Sequence, residues 1–121
     1  MRRLMFAAAL MLAVPVGAHA SVESLAKDAK NGTSVAYVMQ QAKAEGTPVD
    51  TLLAELIKNG VVRSDNIKDA VASAAKADPA RVGATLTVAL SSFKPQAAAI
   101  LKAAYTNAPD QASQIAASAK A

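Results

Sequence analysis

An all-α domain is the fold class this sequence predicts, and three observations carry it. Apolar residues recur at helical spacing, helix-opening residues return every 14 to 16 positions, and no segment alternates with the period of a strand. The openers are Thr33, Pro48, Ser64, Pro79, Pro95 and Pro109. They predict seven short helices, over 22–30, 34–45, 48–58, 65–76, 79–91, 95–105 and 109–119.

Ahead of the first helix, residues 1–20 have the order of a secretory signal. Arg2-Arg3 is the charged start, Leu4 to Val14 the apolar run, Pro15 a breaker and Ala18-His19-Ala20 a small-x-small cleavage site. Cleavage is expected between Ala20 and Ser21, leaving a single Ala-rich domain over 21–121. The apolar run rises only about 16 Å as a helix, roughly half the hydrocarbon thickness, so it is too short for a permanent span. A periplasmic or secreted protein is expected.

The first two helices are bounded by Asn31-Gly32 and Gly46, where glycine takes the left-handed turn that ends a helix. Val35, Val38, Met39 and Ala42 mark the inner face of the second. The third opens with Thr47 as cap, Pro48 in the first turn and Asp50 near the free N–H groups, and it stops at Asn59-Gly60. Its stripe of Val49, Leu52, Leu53, Leu56 and Ile57 is the strongest in the chain. Ile67, Ala70, Val71 and Ala74 line the fourth. Asp78 caps the fifth, whose inner residues are Val82, Leu86, Ala89 and Leu90 and whose middle holds Gly83. Pro95 and Pro109 open the last two.

A helical period near 15 implies a structural period near 30, because consecutive antiparallel helices alternate direction. Sliding the chain by 30 sets Ala70, Val71, Ala74, Pro79, Val82, Leu86 and Ala89 on Ile100, Leu101, Ala104, Pro109, Ala112, Ala116 and Ala119. Hairpin units of this kind bury their stripes by stacking, either into a short solenoid-like array or into an orthogonal bundle.

Composition restricts the chemistry. The full chain has a net charge of +4, but Arg2, Arg3 and the only histidine, His19, precede the expected cleavage, and cysteine is absent. The exported product would keep 11 basic against 9 acidic residues and no His or Cys, which excludes the usual metal sites and most nucleophilic chemistry. No cofactor is expected. The acids are spread along the chain, with Asp50, Asp65 and Asp110 expected in first turns and Glu23/Lys27 and Glu55/Lys58 as surface pairs. Ser-x-x-Lys occurs at Ser24/Lys27, Ser73/Lys76 and Ser91/Lys94, without the partner motifs of penicillin-recognising enzymes. The singly spaced cations give no basic face for nucleic acid.

The expectation is therefore a non-catalytic, exported binding module whose partner is a protein or an envelope component, with self-association also open. The alternative is a carrier of a small apolar ligand. Core anchoring is the default for Tyr37, Phe93 and Tyr105, and the sharper reading puts Tyr37 and Tyr105 in a ligand or partner contact. Ile115, the single large aliphatic residue of the last helix, belongs either to the core or to an exposed contact patch. Export has a direct check: the intact mass of the chain recovered outside the cytoplasm should correspond to a start at Ser21. A product that keeps Met1 and fractionates with membranes contradicts it.

Overall fold

The computed structural model describes residues 17–120, with side chains from Val22 onward. The expected signal's charged start and apolar run lie outside the described residues. Seven α-helices follow in order among the described residues: α1 (Gly17–Lys30), α2 (Val35–Glu45), α3 (Val49–Lys58), α4 (Ile67–Ala77), α5 (Val82–Ser92), α6 (Ala97–Asn107) and α7 (Ala112–Lys120). The first starts five residues earlier than its periodicity suggests and runs through the Ala20–Ser21 junction. No proline or glycine interrupts the chain from Ala18 to Lys30.

Two kinds of junction build the chain. The first three helices end on glycine at positive φ, with Gly32 at 117°, Gly46 at 79° and Gly60 at 78°. In each case the following N–H folds back over the last turn: Thr33 to the Asp28 carbonyl at 2.9 Å, Thr47 to Ala42 at 2.8 Å and Val61 to Leu56 at 2.9 Å. A residue with a side chain at these three positions would carry the strain of the left-handed region.

The later junctions use no glycine. Asp78, Phe93 and Ala108 stand fifteen residues apart with nearly the same backbone angles, φ between −145° and −136° and ψ between 57° and 80°. Each donates its N–H to a carbonyl four residues back, on Ala74, Ala89 and Ala104. Each then accepts from the N–H three residues on, closing a single tight turn before the next helix: Arg81 to Asp78 at 3.1 Å, Gln96 to Phe93 at 2.9 Å and Gln111 to Ala108 at 3.0 Å. Asn66 makes the same bond to Arg63 at 3.1 Å, so the turn occurs four times in register. Pro79, Pro95 and Pro109 lie in these 3₁₀ turns, where a missing N–H costs little.

Several capping expectations are corrected. Ser34, not Thr33, caps α2, its hydroxyl accepting from the Tyr37 N–H at 3.1 Å. Pro48 occupies the cap position of α3, while Thr47 is buried behind it. Asp78 makes no side-chain capping bond, because its carboxylate turns to Lys43 instead. Asp65 precedes α4 and pairs with Arg63, leaving Asp69 in the first turn. Neither Glu23/Lys27 nor Glu55/Lys58 forms an ion pair within 4.0 Å; Glu55 accepts from Asn59.

The helices alternate between two layers. One layer holds α1, α3, α5 and α7, each packed on the next; the other holds α2, α4 and α6, with α4 on α6 the most extensive contact of the molecule. Among the described helices none packs extensively against one more than two places away. This order of neighbours is the one a stacked array gives.

Between the layers lies one continuous core running from Leu25 to Ile115. Leu52, Leu53 and Leu56 of α3 are wholly buried in it, as are Val71 and Leu86. Ala74, Ala89 and Ala104 also have no exposure, and as alanines they let neighbouring axes come close. Gly83 is a contact point between α5 and α7: its N–H donates to Gln114 Oε1 at 2.6 Å, and its carbonyl accepts from Thr87 and Ser118 hydroxyls. A Cβ there would lie 2.5 Å from Gln114 Oε1, so a larger residue would displace the Gln114 side chain from its bond to the Gly83 N–H.

Thr85 falls in the same repeat column as Ala70, Ile100 and Ile115, all buried, and its hydroxyl is buried without a hydrogen-bond partner. Replacing it by valine removes the orphan hydroxyl at nearly constant shape, so Thr85→Val should raise stability by about 1 kcal/mol in chemical denaturation. Ile115→Ala should instead cost about 2 kcal/mol or more, as for other wholly buried aliphatic residues. A stabilising Ile115→Ala would overturn this packing scheme.

Candidate binding site

Of the three residues singled out for contacts, only two reach solvent. Tyr37 on α2 is 55% exposed and Tyr105 on α6 is 41% exposed, so neither anchors the core. Phe93, at the α5–α6 junction, is half-buried against the core. Ile115 has no exposure and lies in the core, not in an exposed contact patch. Helical spacing in an Ala-rich chain does not rank its faces by burial, so core anchoring, the default for the aromatics, does not hold for the two tyrosines.

Among the clefts that open between the described helices, three bear on the site residues. A cleft of about 290 Å³ lies where the end of α5, the start of α6 and the end of α7 meet. Leu90, Ala97, Leu101 and Ala119 supply its apolar lining, and Thr87, Ser91, Ser118 and Lys94 its polar groups. A second, of about 320 Å³, runs across the α2–α4–α6 layer past Ala36, Gln40, Ala72 and Asn107. It also contains Ser73 and Lys76. The Ser73 hydroxyl donates to the Asp69 carbonyl of its own helix at 3.0 Å, so it is a helix-surface hydroxyl rather than an activated nucleophile. At Ser91 and Lys94 the helix breaks between the two residues, at Phe93, and the one-turn spacing of the Ser-x-x-Lys arrangement is lost.

The third cleft, about 220 Å³, carries most of the organised charge. Arg81 Nε donates to Asp50 Oδ1 at 2.7 Å, and Lys43 Nζ lies 3.6 Å from Asp78 Oδ1. These bonds tie the α2–α3 hairpin to the α4–α5 junction. The hydrogen bond and charge of Asp50, with Asp78 nearby, hold the Arg81 pKa above its ordinary value. Two cations and two anions neutralise each other here, which suits a clamp between elements more than a ligand site. Among the described residues no three His, Cys, Asp or Glu side chains gather as a metal site, and no helix is long and apolar enough to cross a membrane.

Comparison with protein-family models, with curated proteins and with solved structures finds no match to the chain.

The clamp predicts a modest, salt-sensitive effect. Arg81→Met should destabilise the fold by less than about 1 kcal/mol at low salt, since the Arg81 side chain is 44% exposed, and the difference should shrink in 1 M salt. A folded-state pKa raised above the unfolded value gives stability that is complete below the unfolded value and lost only as pH rises past the folded one. For arginine that window lies beyond about pH 12, whereas Arg81→Lys should bring the loss down to about pH 10–11. An unchanged alkaline unfolding profile in Arg81→Lys contradicts the assignment.

Proposed function

We propose that this protein is an exported, non-catalytic helical module that works by docking another protein or an envelope component. The observation that supports this most is the open end of the array. Among the described helices α6 has α4 as its one extensive partner in the α2–α4–α6 layer, and Leu101 and Tyr105 on its other side are partly exposed. Enzymatic readings draw little support from these clefts: the Ser73 hydroxyl, which shares its cleft with Asp69 and Lys76, is bonded to the backbone of its own helix, and Asp78 is paired with Lys43. Export rests on the order of charge, apolar run and small-x-small site in residues 1–20.

A second reading, a carrier of a small apolar ligand, is favoured by one feature, the cleft of about 290 Å³ between α5, α6 and α7. It is at the low end of the volumes that enclose drug-sized ligands, and it is open to solvent.

The two readings separate in one measurement. The exported protein, purified without detergent or chelator, is examined by native mass spectrometry before and after incubation with an envelope extract. A ligand-free monomer that acquires a stoichiometric macromolecular partner is the expected result. A stoichiometric small molecule retained through purification, with no partner acquired, contradicts docking and favours the carrier.

A further inference from the structure

The repeat shows what the open flank of α6 lacks. In α4, Ile67, Val71 and Ala75 follow one another at four-residue spacing and are buried to 1%, 0% and 0% exposure. Thirty residues on, the same register positions in α6 are Ala97, Leu101 and Tyr105. Ala97 and Leu101 are half-buried and Tyr105 is exposed, although their neighbours Ile100 and Ala104 are as buried as Ala70 and Ala74. The difference lies in the neighbours. Among the described helices α4 has layer partners on both sides, α2 and α6, whereas α6 packs in that layer on α4.

Two further features shape this flank. Ala97 and Ser118 stand where the preceding unit has Ile67 and Val88, and the lost volume opens the cleft beside Leu101. From residue 82 to the end, the charged side chains are Lys94, Lys102 and Lys120 against Asp110 alone, and none of the three lysines has an ion-pair partner among the described residues. Lys94 lines the cleft, and Lys102 lies one residue from Leu101 on the exposed side of α6.

We infer that the flank of α6 marked by Ala97, Leu101 and Tyr105 is the docking site for an amphipathic helix of another protein, bordered by acidic residues, which takes the place of a fourth helix in the α2–α4–α6 layer. This rests on the reading of the protein as a binding module and adds the place and the partner's chemistry. One large aliphatic side chain of that helix enters the cleft, and its acids meet Lys94 and Lys102. The stripe is about 12 Å long, two turns of helix, so a two-turn apolar face suffices. A second copy of this chain fits less well, because a two-fold mate would set the lysine-bearing flank against itself.

The test uses the full exported chain, labelled for NMR, and synthetic helical peptides. One carries a Leu/Ala face bordered by glutamates, and its counterpart has lysine at each glutamate. The acidic peptide should shift the amides of α6 and of the cleft, and the basic peptide should bind at least about tenfold more weakly. Tyr105→Ala, at an exposed position where the melting temperature should hold, is expected to weaken the acidic peptide about tenfold or more, as is Lys94→Glu combined with Lys102→Glu. Shifts confined to another face, or equal binding of both peptides, overturn the proposal. So does a dimer through α6 in light scattering, or decanoate filling the cleft while the acidic peptide leaves α6 unshifted. Any of these can occur while the native protein still acquires its partner, so failure of the site and failure of the docking function are separately visible.

Discussion

None of the described helices of this protein exceeds 14 residues, and helices of that length are marginal in water when they stand alone. Each owes its persistence to packing on the helices one and two places along, and in α4 to α6 buried alanines recur in that packing. Ala74, Ala89 and Ala104, fifteen residues apart and wholly buried, show the constraint most directly. Their carbonyls accept the N–H groups that end α4, α5 and α6, so packing position and helix stop share the same residue. A fifteen-residue unit follows, one helix and one tight turn, repeated with little variation from residue 63 onward.

Small side chains set the energetic character as well. Alanine buries little apolar area, so each contact contributes little, and the larger residues of α3 supply a disproportionate share of the core. Towards α7 the large residues thin out until Ile115 alone is fully buried. Polar bonds replace them there: Gln114 and Ser118 hold the backbone of Gly83 from one turn apart. The array is thus firmest in its middle and held by few, specific contacts at its last helix.

Much of this was legible in the sequence. The openers and glycines placed all seven helices within a few residues, because caps and left-handed turns are decided locally. The thirty-residue alignment named Leu101 as the counterpart of Val71, and that pairing is what the open flank turns on. What could not be read was which neighbour covers each face. Tyr105 follows Leu101 at four-residue spacing yet lies outside the core, and Asp78 has the position of a cap yet serves an ion pair with Lys43. Those outcomes depend on residues far away in the chain, as does the partnership of Gly83 with Gln114.

The central claim is an open array in which stability is passed between neighbours rather than shared by a closed core. Native-state hydrogen exchange resolved by residue tests it directly. The open array predicts opening free energies that are highest in α3 to α5 and fall stepwise through α6 to α7, with α7 exchanging by local detachment. Equal protection from α1 to α7, with a single global opening, is the signature of a closed bundle and contradicts the account.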